Sequence, residues 1–337
     1  MDTPARIGVV GAGLIGGSII KAAAQAGPGS GPRPVVVCDR DPATRDQLAD
    51  AGFAVVETPA DLAPRVEVAI AAVPPAVTPR VVAELLGASD TLIVSDAASV
   101  KESVWNSVAA RVSAAELARF VPGHPLAGRE SRGWAHADPG VLAGAMWALC
   151  PAEGRTDPGA AVRVIDAITH VMGARVLLLA ARDHDVVLAH TSHMPHVAAS
   201  ALMTAVIRDA PALRMRLSGG ALRDTTRVAA ANPDLWTEIL RDNGPNVAAA
   251  LDALIGDLGR LRDIVRDERW DDLAVAWREG ARARETLDRV RWSGHTRSVE
   301  VDCEPSVEAL LDIGSGGALI LRVIRTSPRL TLELSRD

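Results

Sequence analysis

Histidines cluster between positions 184 and 196 of this 337-residue chain, where Asp183-His184-Asp185 leads to Thr191-Ser192-His193-Met194-Pro195-His196. Imidazole is the side chain best matched to moving a proton near neutral pH, and Pro195 distorts any helix that carries the segment. His193 and His196 stand three apart, on one helix face. That spacing also suits a metal ion, but no Cys or Glu stands at a usual partner spacing, so no metal is expected. His124 lies in Gly123-His124-Pro125-Leu126-Ala127-Gly128-Arg129-Glu130. Flanked by Gly and Pro, it reads as a loop histidine on a stiff turn. That is a fitting place for a general base, although an ordinary surface residue is the plainer reading. Arg223-Asp224-Thr225-Thr226-Arg227 sets two arginines one helical turn apart. They form either a carboxylate clamp or a solvated face paired with Asp224.

A cofactor is signalled near the start. Residues 7–11 read as an apolar strand running into Gly11-Ala12-Gly13-Leu14-Ile15-Gly16-Gly17, with a helix to about Gln25 and a second strand over Val35–Cys38. Such glycines let a backbone approach a pyrophosphate at a helix N-terminus. Asp39 closes the second strand, where a carboxylate accepts ribose hydroxyls and disfavours a 2′-phosphate. NAD is therefore expected over NADP, although Arg40 next door is compatible with NADP. Val73 ends the strand 67–73 and Pro74 follows it; both are expected to line the same site, with Leu14 and Ile15. Asp96-Ala97-Ala98-Ser99-Val100-Lys101 follows the strand 91–95. Ser99 then either meets the nicotinamide or a catalytic imidazole, or simply N-caps the next helix.

Further strands at 54–56, 145–150 and 174–179 alternate with helices, which implies an α/β fold with a parallel, doubly wound sheet over residues 1–180. From 181 to 293 the chain is Ala/Leu/Arg-rich with helical spacing, an all-α second domain. Residues 294–337 form a short tail of two strands, 298–303 and 318–324, around a helix at 305–312.

Composition narrows the function. Hydrophobic residues make up 48% and charged residues 23%, ordinary for a core-forming protein. Net charge of −6 argues against nucleic acid as a partner. No apolar run approaches the roughly 20 residues of a membrane helix, and the first residues run straight into a strand. Neither a membrane partner nor a secretory leader is expected, and the location expected is cytoplasmic. Three scattered cysteines suggest no disulfide framework. With no tyrosine at all, a Tyr-Lys dehydrogenase is excluded. Lys21 and Lys101 are the only lysines among many arginines, which marks positions that a guanidinium does not fit. With no lysine beyond Lys101, a generic β-hydroxyacid dehydrogenase is also excluded.

Taken together the motifs resemble the prephenate dehydrogenase family. The matching pieces are Gly11-Ala-Gly-Leu-Ile-Gly-Gly-Ser18, Asp96-x-x-Ser99-Val100-Lys101, Gly123-His124-Pro125-x-x-Gly128-x-Glu130, and His184-Asp185 leading to Ser192-His193-x-Pro195-His196. Arg223-Asp224-x-Thr226-Arg227 and Trp236 complete the set, in family order over roughly residues 5 to 292. The resemblance implies a Rossmann domain followed by a helical dimerisation domain, hence a homodimer. It implies oxidative decarboxylation of prephenate, a small dianion, by NAD in tyrosine biosynthesis. By the same resemblance His124 takes the proton of the 4-hydroxyl and Ser99 orients that histidine. His196 and Arg227 bind substrate, and Glu130, Asp224, Arg223 and Trp236 stand near the pocket. Close rivals are relatives acting on arogenate or 4-amino-4-deoxyprephenate. The tail sits where some relatives carry an ACT regulatory domain. It is too short for that fold and lacks the Asp-Arg-Pro-Gly ligand turn, so it reads as an incomplete, degenerate ACT-like module.

Overall fold

The computed structural model describes residues 6–25, 35–128, 133–208, 211–289, 296–302, 304–326 and 329–335. They form two compact units. One takes in the chain up to Asp185 together with Pro233–Asp242 and Thr296–Ser335; the other takes in Val186–Asn232 and the two long helices beyond Asn243.

In the first unit, six strands form an all-parallel sheet: β1 (Ile7–Val10), β2 (Val35–Cys38), β3 (Ala54–Val56), β4 (Val68–Ala71), β5 (Ile93–Asp96) and β6 (Phe120–Val121). Their order is β3-β2-β1-β4-β5-β6. Helices cover both faces, so the central strands are nearly continuous Val, Ile and Ala and are buried throughout. Strand order reverses between β1 and β4, and ligands bind at the carboxyl edge of such a switch point. The helix Leu14–Ala24 starts there. The helix Pro42–Asp50 starts where Asp41 accepts the amides of Ala43 and Thr44 ahead of a proline that needs no N–H partner.

A second sheet lies in the same unit. It holds β7 (Gly123–Pro125), β8 (Met146–Leu149), β9 (Arg175–Leu178), β10 (Thr296–Asp302), β11 (Ile320–Thr326) and β12 (Arg329–Ser335), in the order β10-β12-β11-β9-β8-β7. Only β8 and β9 run parallel. Two expectations change here. Gly123-His124-Pro125 is a strand and not a loop: β7 is an edge strand, where the missing N–H of Pro125 costs no ladder bond. The tail, which sequence alone sets apart as an ACT-like module, adds β10, β11 and β12 to the sheet of β7–β9. Its helix Val307–Ser315 lies so close to β9 that a Cβ on Gly314 would stand 1.8 Å from the Leu178 carbonyl oxygen.

The second unit is helical, with helices Met194–Ile207, Pro211–Arg216, Gly220–Thr226, Gly244–Arg266 and Trp270–Arg289. Ahead of Pro195 the chain takes a π-helical turn over Ala189–His193, the distortion expected where proline removes an amide from the helix ladder. His193 is buried and its Nδ1 lies 3.0 Å from the Asn243 side-chain amide, which makes it a packing residue of this unit. Ile255, Leu258, Val265, Trp270, Val275, Trp277 and Leu287 on the two longest helices are exposed. No helix of the described residues is long and apolar enough to cross a membrane.

Because backbone and not a flexible side chain would meet the new methyl, Gly314→Ala is expected to destabilise the fold by about 1–3 kcal/mol. Urea unfolding should show a lower midpoint; an unchanged midpoint would mean that the tail helix does not pack on β9.

Candidate active site

The glycine loop meets the geometric needs of a dinucleotide site one residue at a time. Gly11 has φ +93°, and a Cβ there would lie 2.5 Å from the Ala72 carbonyl oxygen. A Cβ on Gly16 would lie 1.8 Å from the Gly11 carbonyl oxygen, so this glycine allows the helix to abut the strand. Gly13 is different: nothing lies within 4 Å of its Cβ position. That open space stands at a helix start with no side-chain cap, whose first-turn amides suit a pyrophosphate. Asp39 is held at the end of β2, with Oδ2 accepting the Ala12 amide at 2.7 Å and Oδ1 the Asp41 amide at 2.9 Å. Leu14, Ile15 and Val73 are half-buried around the loop, whereas Pro74 and Arg40 are exposed. Lys21, on the same helix, donates to the Ala137 carbonyl at 2.8 Å and lies 4.5 Å above the Trp134 ring.

A buried ion pair fixes the histidine. Lys101 and Asp96 are both fully buried and bonded Nζ to Oδ2. Asp96 Oδ1 accepts the Gly123 amide at 3.0 Å, while Lys101 Nζ donates to the Gly123 carbonyl at 2.6 Å. Both polar groups of Gly123 are thus pinned, and the next side chain is His124. Gly123 must be glycine, since a Cβ would meet Asp96 O and Trp147 Nε1 at 2.8 Å. Lys101 explains its retention among arginines: a compact ammonium fits where a planar fork would not.

His124 is buried, 8% exposed, and its Nδ1 lies 2.9 Å from His184 Nε2. His184 Nδ1 lies in turn 2.7 Å from Asp185 Oδ1. Asp185 Oδ1 also accepts the Lys101 amide, and Oδ2 the Glu102 amide, each at 2.9 Å. The helix Glu102–Ala109 is therefore capped by a carboxylate 84 positions away. The capping role open to Ser99 is filled by Asp185, and Ser99 stays half-buried in the loop after β5. The local sequence carries no signal of that long-range cap. Lys101 was marked by its type, but Asp96 and His184 stood out only as parts of motifs.

His196 and Arg227 lie in the helical unit. His196 Nδ1 donates to the Ser192 carbonyl at 2.8 Å, which leaves Nε2 as the ring's acceptor. Partial burial lowers its pKa despite that carbonyl, and the Arg227 charge lowers it further. Arg223 and Asp224 are exposed on the helix Gly220–Thr226, and Arg227 opens the next turn, Arg227–Ala230. Trp236 sits on Pro233–Asp242, which packs in the first unit against the core that contains Phe120. Glu130 lies outside the described residues. No group of three or more His, Cys, Asp or Glu among the described residues could hold a metal ion.

A glycine-loop nucleotide site and a buried, partnered histidine following a parallel sheet define an oxidoreductase of the dinucleotide-binding class. Residues 29–178 match the family described as prephenate dehydrogenase, nucleotide-binding domain, and residues 180–279 its dimerization domain. A cyclohexadienyl dehydrogenase of Zymomonas mobilis is 32% identical over 288 residues, 84% of this chain and 96% of that one. A probable prephenate dehydrogenase of Streptomyces niveus is 28% identical over 337 residues, 95% of this chain and 90% of its own. In fold, the Aquifex aeolicus prephenate dehydrogenase solved with hydroxyphenyl propionate and NAD+ matches with TM-score 0.76. It is 24% identical, over 85% of this chain and 99% of that chain. The chain belongs to the prephenate dehydrogenase family.

The two key glycines should separate binding from folding. Gly13→Ala is expected to keep wild-type stability and weaken dinucleotide binding, whereas Gly16→Ala should lower the melting temperature; equal behaviour of the two would refute this division. A pH effect arises from the neutral histidines. His184 and His196 both have lowered pKa values, led in each case by burial. Below about pH 6.5 the unfolded chain takes up protons that the folded rings refuse, so stability present above that pH is lost on acidification through the folded pKa values. Urea midpoints measured from pH 8 to 5 should fall below about pH 6.5, and less so in His196→Gln.

Proposed function

We propose that this chain is an NAD-dependent prephenate dehydrogenase that converts prephenate to 4-hydroxyphenylpyruvate and carbon dioxide in tyrosine biosynthesis. The observation that supports the reading is His124, buried and next to Gly123, whose two backbone groups the Asp96–Lys101 pair holds. Bound NAD supplies the acceptor for the hydride from C4. His124 takes the 4-hydroxyl proton, and loss of the ring carboxylate as carbon dioxide leaves an aromatic ring, which makes the step strongly downhill. Ser99 stands in the loop before Lys101, as a partner for that histidine or the nicotinamide. Arg227 anchors a carboxylate, and neutral His196 offers Nε2 as an acceptor to the substrate. Glu130, Asp224, Arg223 and Trp236 are assigned to the rim. The exposed apolar residues of Gly244–Arg266 and Trp270–Arg289 support a homodimer through the helical domain.

The test is turnover of prephenate, arogenate and 4-amino-4-deoxyprephenate with NAD and with NADP, monitored by reduced-cofactor absorbance. Prephenate with NAD is expected to be fastest, and a preference for either other acid would reassign the substrate. His124→Asn should lose roughly 10²–10⁴-fold in kcat while still binding NAD. Arg227→Ala should raise KM for the substrate about ten- to a hundredfold, the worth of one charge-assisted bond. An unchanged KM would remove Arg227 from the site.

A further inference from the structure

We infer that His184 and Asp185 act as positioning residues that fix the tautomer of His124, so that its Nε2 is the basic nitrogen. The inference rests on the proposed role of His124 as the base. It starts from Asp185, whose oxygens accept the Lys101 and Glu102 amides, contacts that only the acceptor-only carboxylate satisfies together with an imidazole N–H. His184 Nδ1 must then carry a hydrogen and donate it to Asp185 Oδ1. The ring is fully buried and desolvation lowers its pKa, so it is neutral and its Nε2 holds a lone pair. A lone pair there can meet His124 Nδ1 at 2.9 Å only if Nδ1 bears the hydrogen. One neutral ring carries one hydrogen, so the lone pair of His124 lies on Nε2.

The order Asp185, His184, His124 is a base oriented by a second group that is itself oriented by a third. The two rings meet edge to face, 71° apart with centroids 5.1 Å from each other, which fixes a hydrogen-bonding plane as well as a distance. Charged groups acting on His184 are Asp185, Lys101 and Asp96. Asp183 on its own helix and Glu102 at the start of the capped helix are exposed. Cys150, which feels the same three charges, is a neutral thiol because burial pushes its pKa far up. The chain of donors also stabilises protonated His124: when Nε2 takes a proton, Nδ1–H donates more strongly toward His184 and the Asp185 carboxylate behind it.

Nitrogen-15 NMR of the histidine-labelled full chain tests the tautomer without substrate or turnover. Neutral His124 should show its hydrogen on Nδ1; a hydrogen on Nε2 overturns the inference. Kinetics give a second readout. His184→Leu keeps bulk but removes the acceptor. It should lower kcat by roughly 10²-fold and move the acidic limb of the kcat–pH profile down by about one unit, with KM for NAD unchanged. His184→Gln restores an acceptor oxygen and should recover most of the loss, which a merely structural role would not require. An unmoved acidic limb in both variants overturns the inference. If His184→Leu does not fold, the wild-type spectrum and His184→Gln decide. Failure of wild-type turnover on all three substrates would count against the proposed function alone, because the tautomer is read independently.

Discussion

Burying a lysine and an aspartate together costs desolvation energy that their attraction recovers only when their remaining hydrogen-bonding capacity is also matched. Asp96 and Lys101 meet that condition by taking both backbone groups of Gly123 as partners. The pair therefore does more than neutralise itself. It joins the end of β5 to the start of β7, where the chain leaves one sheet for the other, and so determines where His124 stands. A buried pair of this kind adds little net stability over apolar packing but is intolerant of rearrangement. Here the intolerance is useful, since a base must be held within a fraction of an ångström of its working position.

In each unit, electrostatics keep an imidazole neutral. His184 loses its charged form to burial, and its contact with Asp185 does not reverse this. His196 loses it to burial and to Arg227. A neutral ring keeps one nitrogen as an acceptor, and the hydrogen bond made by the other nitrogen decides which. In both cases the fixing partner comes from nearby in sequence, Asp185 for His184 and the Ser192 carbonyl for His196. Local chain geometry thus settles questions of proton placement that composition leaves open.

Much of this was legible in the sequence where a single residue type answers a single need. The glycine loop, Asp39 after β2 and the alternation of strands and helices correspond to backbone rules that few sequences satisfy otherwise. The residues that distinguish the site were harder to read because their partners are distant. Nothing near position 102 reveals that Asp185 caps its helix, and nothing near Gly123 reveals that Asp96 and Lys101 grip it. The strand character of Gly123–Pro125 was hidden by the residues that usually mark a turn; its edge position resolves the conflict. The tail reads as an isolated module because strand pairing across more than a hundred residues leaves no periodic trace; the strands join where Ile320 faces Val176.

That join also bears on solubility. Sheet edges carry unsatisfied backbone groups that another chain can extend, and long apolar edges invite aggregation. With β11 beside β9 and β12 beyond it, the outer strand is β10, whose exposed positions include Arg297, Glu300 and Asp302. The opposite edge is three residues long and ends in Pro125, while the parallel sheet is bounded by β3 and β6, of three and two residues. The last forty or so residues thus replace an edge of Val and Leu at β9 by one rich in charge. They act as a selvedge, finishing the border of the sheet so that it does not grow.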